Sequence, residues 1–343
     1  MTDRTQAFET VPDTGTGAGT GTGSDAGAAT PAAETILRQA GSPAPRSPGP
    51  PQALHRRLLS RSTPWLFLAV PVVLLLTFTY TPVANMLYYS FTDWDGFSPD
   101  RNWVGQANYT ELFTRPDLFQ VFFVSLFYLA SGAVQMVLAL YFATILSFNV
   151  KFRNFFKGVL FFPYLINGVA IGFVFLYFFQ PNGTLDSVLR LVGVHGEHLW
   201  LGDPHLVNWS LAGVSLWRYL GLNFVLFLGA IQSIPGEIYE AAEIDGANRW
   251  HQVRHLILPG IRPVVSLAAI LVVSGSLSAF EIPYIMTGGA NGSTTFVIQT
   301  VKLAFQFNKV GLASAAAVVL LLIVLLVTWI QRLIVPDEGV DLT

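Results

Sequence analysis

Long apolar runs alternate with short polar stretches along most of this chain. A hydrocarbon core of about 30 Å needs roughly 20 helical residues. Six runs reach that length, at about 64–89, 118–148, 155–179, 208–232, 263–287 and 311–330. The pattern predicts an all-α polytopic membrane protein with six transmembrane helices, occupying residues 53–335.

The polar stretches set a topology. His55, Arg56, Arg57 and Arg61 precede the first run, and Lys151, Arg153 and Lys157 crowd the joint between the second and third. Cationic short loops stay inside, so both termini are expected in the cytoplasm, including the short tail 336–343 that follows Arg332. Residues 92–117 then form an external loop, with Trp94, Trp103 and Tyr109 as interface anchors. Residues 180–207 form another, and Thr287–Thr295 an external turn. His195, Glu197, His198, Asp203 and His205 lie in the second loop without the spacing of a metal site, and a solvated loop is the simpler reading.

Composition agrees with the pattern. Of 343 residues 52% are hydrophobic, with 27 Phe and 8 Trp, and the mean hydropathy is +0.52. The net charge of −2 gives no sign of a nucleic-acid partner. With no cysteine, disulfides, thiolate metal sites and cysteine nucleophiles are excluded. The first apolar run is too long for a cleavable signal and is expected to remain as a helix. Residues 1–52, rich in Gly, Ala, Thr, Pro and Ser, lack the apolar side chains to offset ordering entropy, so a disordered tail is expected.

Polar residues inside the spans have modest readings. Pro71 and Pro82 are expected to kink the first helix. Ser131, Gly132 and Gln135 suit helix packing in the second span, as Asn167, Gly168 and Gly172 do in the third. Arg218, beside Trp217 and Tyr219 and near Asn223, must snorkel, pair, or face a polar cavity. Ser274, Ser276, Ser278 and Glu281 mark the fifth span, where Glu281 fits either a polar path or simple exposure at the membrane surface.

One stretch breaks the apolar pattern. Glu237, Glu240, Glu243, Asp245, Arg249, Arg254 and Arg262 fall within residues 233–262, in a chain where only 12% of residues are charged. Charge that dense belongs at the membrane surface, on the cytoplasmic side by the topology above. Pro235 suits the start of a helix. Ile234, Ile238, Ala241 and Ala242 give it an apolar face, and Gly246 ends it after Asp245. A second helix is expected from about Asn248, with Trp250, Val253, Leu256 and Ile257 on one side, ending at Leu258-Pro259. Two short helices hinged on glycine, with exposed acids, form a docking element for a cytosolic partner. No nucleotide-binding P-loop, H-E-x-x-H or G-x-S-x-G motif is present, and nothing looks catalytic.

At these residues the chain resembles the permease subunits of binding-protein-dependent ABC importers. Glu240-Ala241-Ala242, Gly246 and Leu258-Pro259 match their EAA motif, with Leu256 where isoleucine is usual. Tyr239–Ala247, Thr287–Thr295 and the six-span layout resemble the carbohydrate branch, similar to maltose and glycerol-phosphate permeases. The proline usual after Thr-Gly-Gly is missing, because Ala290 and Asn291 follow Gly289. The resemblance covers roughly residues 55–335. It implies a type I importer permease fold and a multi-pass place in a bacterial cytoplasmic membrane. It also implies no catalysis by this chain, since ATP is bound and hydrolysed by a cytoplasmic ATPase dimer. The other implied partners are a second permease subunit, an external sugar-binding protein and membrane lipid.

Glu240, Ala241, Ala242, Asp245, Gly246, Leu258 and Pro259 are then the coupling residues. The sugar path by the same resemblance involves Trp217, Arg218, Tyr219, Leu222 and Asn223 before the motif, and Ser274, Ser278 and Glu281 after it. The competing readings are a secondary carrier or channel without an ATPase, a structural or signalling membrane protein, and a peptide or metal importer.

Overall fold

The computed structural model describes residues 67–148, 151–196 and 198–334. The expectations for the tails 1–52 and 336–343, for His55, Arg56, Arg57, Arg61 and Pro64, and for Glu197 lie outside these residues. Among the described residues the chain is helical, apart from a single isolated bridge between Thr92 and Trp103.

The first span is α1, Phe67–Tyr89. Its helix widens to a π turn over Leu76–Tyr80, where the Thr81 N–H reaches back to the Leu76 carbonyl. Pro82 explains the turn, since proline gives no N–H and its ring crowds the carbonyl four residues earlier. The expected kink is thus absorbed as a π turn. Residues 92–117 are more ordered than a loop. They contain α2, Ala107–Thr114, and Asn108 donates from its buried amide to the carbonyls of Ser90 and Thr92 at 2.9 and 2.8 Å.

The second span, α3, runs over Ser125–Ser147 after two short helical turns. The third departs from the expected single helix over 155–179. It is two helices, α4 Arg153–Leu165 and α5 Gly168–Phe178, bent by 95°. Asn167 sits at the bend and caps α5, its side-chain oxygen accepting from the Val169 N–H at 2.8 Å. Its role is a helix cap rather than packing between helices.

The segment 180–207 is also structured. After α6, Thr184–Leu191, Asp186 is buried, accepting from Trp200 Nε1 and the Asn182 N–H, both at 2.8 Å. Asn291 Nδ2 and Asn208 Nδ2 tie this segment to the 287–295 turn through the carbonyls of Leu201 and Gly292. The expected solvated loop is therefore a folded platform.

The fourth span is α7, Val207–Gln232. The charged stretch forms α8, Gly236–Ile244, and α9, Arg249–Gln252. Leu258-Pro259 does not end the second helix, as expected from proline. The chain passes through a second π turn, Val253–Ile257, and one more helical turn, Leu258–Gly260. The Leu258 N–H reaches back to the Val253 carbonyl. Pro259 stands where Pro82 stands relative to the first π turn, and the wider turn accommodates it in the same way. The fifth span, Arg262–Thr287, is interrupted over residues 278–280, between α10 Arg262–Leu277 and α11 Glu281–Thr287, without the sharp bend of the third. Helix α12, Phe296–Phe305, leads to the last span, α13, Val310–Ile334.

Within a bilayer, helices gain little from burying apolar surface against one another and associate through close contact of small residues. One core joins α3, α7, α9's π turn and α10 through Ala139, Ala143, Phe224, Phe227, Ile257, Ile261 and Ala268. A second joins α3, α5, α7 and α11 through Tyr128, Ile171, Leu211, Ala212 and Ile282. The cavity described below is lined by residues of the spans that these two cores hold together.

Outside the spans, the Trp200 N–H bond and then the Asn182 N–H hold the Asp186 carboxyl below its usual range, against the opposing effect of desolvation. A depressed folded-state pKa stabilises at every pH above the unfolded value, about 3.9, and the gain disappears as pH falls through the folded value. Thermal unfolding followed by tryptophan fluorescence should show no pH dependence from this group between pH 5 and 8, where its contribution is constant, and a decline only at lower pH. Asp186→Ala leaves the Trp200 and Asn182 donors without their acceptor and should cost about 1–3 kcal/mol at neutral pH.

Candidate functional site

The breaks in the third and fifth spans meet α7 at one place. Arg218, on α7, donates from Nη1 to Glu281 Oε2 at 2.6 Å. Glu281 opens α11 immediately after the break. Gly168 opens α5 immediately after the other break, and a Cβ there would run into Arg218 Nη1 and Glu281 Oε2. The bare backbone of glycine leaves the space that the paired side chains occupy, and a Cβ would push their ends aside. Arg218 is tucked away, its side chain 12% exposed, whereas that of Glu281 is 38% exposed. The arginine in the fourth span is thus accommodated by pairing.

Beside the pair lies a cavity of about 430 Å³ bounded by α3, α7 and the α10–α11 break. Helix α3 contributes Tyr128, Ser131, Gly132 and Gln135, and α7 contributes Ser215, Tyr219, Leu222 and Asn223. The fifth span contributes Ser276, Ser278, Phe280 and Glu281 among others. Glu281 is the one charged side chain in this lining. The Tyr128 hydroxyl is buried and has no hydrogen-bond partner among the described residues. Gln135 and Asn223 are buried too, with amide groups at the cavity wall. Buried polar groups are normally satisfied, and a cavity with open ones is suited to a hydroxyl-rich guest.

The structure brings together five of the eight path residues expected from sequence: Tyr219, Leu222, Asn223, Ser278 and Glu281. Arg218 stands behind the wall, its guanidinium 5.1 Å from the Tyr219 ring centre. Trp217 is outside the lining, edge-on to Phe175 with ring centres 5.2 Å apart. Ser274 is also outside it. Tyr128, Ser131 and Gln135 were not expected as lining. They lie at i, i+3 and i+7, a polar stripe along an otherwise apolar span, and that spacing is the signal that would find them.

The charged segment 233–262 is built from caps. Helix α8 ends with Asp245 as its C-cap and Gly246 at φ +79°, a left-handed residue that favours glycine. The Gly246 N–H bonds to the Glu243 carbonyl at 3.1 Å and the Ala247 N–H to the Ala242 carbonyl at 2.9 Å, a Schellman termination. Asn248 then caps α9, accepting from the His251 N–H at 2.9 Å. Glu240, Ala241 and Asp245 are exposed, as are Leu258 and Pro259, and α8 has no buried residue. Of the apolar face expected of α8, Ile238 is 43% exposed and Ala241 is exposed, whereas Ile234 packs against the core; Ile244, outside that face, is 86% exposed. A groove between the two helices is lined by Ala242, Asp245, Gly246, Ala247, His251 and His255. Ile257 and Ile261 root the segment in the same core as Phe224 and Ala268. No group of three or more His, Cys, Asp or Glu side chains among the described residues is placed to hold a metal.

A methyl at Gly168 would force the ion pair or the helix start to move. Gly168→Ala should destabilise the purified protein by about 1–3 kcal/mol. Gly229→Ala, where a Cβ meets open space, should not. Melting curves of the two variants in detergent make the comparison.

Residues 135–339 match the family described as binding-protein-dependent transport system inner membrane component. The probable ABC transporter permease protein YurN of Bacillus subtilis is 34% identical over 275 residues, covering 78% of this chain and 94% of that protein. The diacetylchitobiose uptake system permease protein NgcF of Streptomyces coelicolor is 32% identical, covering 90% and 93%. A chain of a bacterial alginate ABC transporter, solved with a periplasmic protein bound to alginate pentasaccharide, superposes with a TM-score of 0.70 at 20% identity, covering 82% of this chain and 98% of that one. That likeness agrees with the expected permease fold. The chain belongs to the family of inner membrane components of binding-protein-dependent transport systems.

Proposed function

We propose that this chain is the transmembrane subunit of an ATP-driven importer for an uncharged saccharide. In this reading both termini and residues 233–262 face the cytoplasm. Glu240, Ala241, Ala242, Asp245, Gly246, Leu258 and Pro259 form the surface that docks on a separate ATPase dimer. A second permease subunit and an external sugar-binding protein complete the machine. The chain itself performs no chemistry and needs no cofactor, ATP being bound by its partner.

The observation that carries this reading is the cavity at the span breaks. Its wall includes the hydroxyl- and amide-bearing residues Tyr219, Gln135, Asn223 and Ser278, together with one carboxylate already paired to a cation. Hydroxyl-rich guests match such a lining through many hydrogen bonds, and an aromatic wall adds stacking area. Glu281 is balanced by Arg218, and the described lining holds no further cation with which a carboxylated sugar could pair. The name of NgcF, an uptake permease for diacetylchitobiose, supports an uncharged saccharide in particular.

Coupling follows from how α8 is rooted. Force applied to its exposed surface passes through Ile257 and Ile261 into the core shared by α7 and α10, both of which line the cavity. ATP-driven movement of a docked ATPase would thereby change access to the sugar path.

Proteoliposomes holding the complete importer test the reading. With binding protein outside and ATP at the ATPase face, they should accumulate at least one of diacetylchitobiose, maltotriose, lactose and arabinotriose, and no oligomannuronate. Glu240→Arg and Gly246→Asp should each lower uptake at least tenfold while leaving the permease pair assembled. Uptake that persists without the ATPase would instead indicate a carrier that works alone.

A further inference from the structure

Arg218 is the one strongly charged group beside the cavity that does not line it. It nevertheless touches two groups that do. Its Nη1 bonds to Glu281 Oε2 at 2.6 Å, and its guanidinium sits 5.1 Å from the ring centre of Tyr219. Its Nε is buried and has no partner among the described residues, so the side chain is not held by a wider network. The start of α5 at Gly168 closes the remaining side. The cation is therefore clamped between two wall groups and a helix start, in a place with no room for a guest.

We propose that Arg218 is a positioning residue for transport, acting through Glu281 and Tyr219 rather than by contact with the sugar. The inference rests on reading the cavity as the sugar path. Glu281 belongs to the short helix after the break in the fifth span, and Gly168 to the helix after the break in the third. Helix α5 is bent from α4 by 95° and α11 is set off from α10 by residues 278–280, so the backbone at each joint has to be enclosed by protein at that depth. Arg218, on the unbroken α7, supplies one contact for both joints. Removing it frees the Glu281 carboxylate to rotate, leaves a lone charge in a low-dielectric wall, and releases the Tyr219 ring from one face. The effect on transport is then transmitted by wall geometry, and it needs Glu281 to be present.

That dependence separates positioning from direct binding. Two residues acting through one interaction give losses that do not multiply, whereas independent contacts give losses that do. In the reconstituted importer, uptake is measured per assembled complex, using whichever of the four uncharged saccharides the wild type carries. ATP turnover in the presence of binding protein is recorded alongside. Arg218→Met and Glu281→Gln should each lower the maximal uptake rate by about tenfold, and the double variant by no more than about twofold beyond the worse single one. Sugar carried per ATP should fall in all three. The KM, set by capture at the external binding protein, should move little. A purely structural role predicts less assembled complex with normal sugar carried per ATP, which would overturn the proposal. So would multiplied losses in the double variant, or normal uptake by Arg218→Met. If Arg218→Met yields too little complex, the same cycle run with Arg218→Lys decides by the same criterion, because the coupling is read and not the depth of the loss. A wild type that carries none of the four sugars contradicts the saccharide reading alone, and the cycle is then read from ATP turnover.

Discussion

A guanidinium inside a membrane-spanning bundle has to be neutralised where it stands, and in this protein that requirement meets a second one. Backbone that leaves the helix within the membrane must be enclosed by protein or line a cavity. Arg218 satisfies both needs together. Its partner Glu281 lies at one span break, and the glycine that makes room for the pair lies at the other. The break in the fifth span lines the cavity, and the ion pair ties it to the continuous α7. Replacing Gly168 with any larger residue would set the two requirements against each other.

The same α7 connects this site to the coupling segment. Its Phe224, Phe227 and Ile231 share a core with Ile257 and Ile261, which end and follow the π turn before Pro259. Both π turns of the chain precede a proline by one residue, and each relieves the same clash without breaking the helix. The second keeps helical continuity between α9 and the foot of α10. A movement of α8 is thus passed on through helical and packed elements, while Gly246 provides the one sharp bend.

Much of this was legible in the sequence. Hydropathy runs fall on the long apolar helices, five or, with the bent pair taken as one, six among the described residues, and Gly246, Asn248 and Pro235 marked the ends of α8 and α9 because caps and bends are local. The breaks were not legible, since apolar runs such as 155–179 and 263–287 report hydropathy but not continuity. Their signals were Asn167-Gly168, a cap residue in an apolar run, and the Ser278–Glu281 cluster. The partner of Arg218 was undetermined because 63 residues separate it from Glu281. Ser131 and Gln135 passed for helix packing, which uses the same residue types, and Tyr128 was not singled out. Trp217 lies on another face of α7, two positions from Ser215 and Tyr219, which line the cavity.

The central claim is that this cavity opens to opposite sides of the membrane as the coupling segment is moved. The chain contains no cysteine, so a single one introduced at Ser278, a residue of the cavity lining, can be labelled without background. A membrane-impermeant thiol reagent applied from outside to the reconstituted importer should react slowly at rest. It should react at least tenfold faster when the ATPase is trapped with ATP and vanadate, and Glu240→Arg should abolish the increase. Equal labelling in both states would contradict the account.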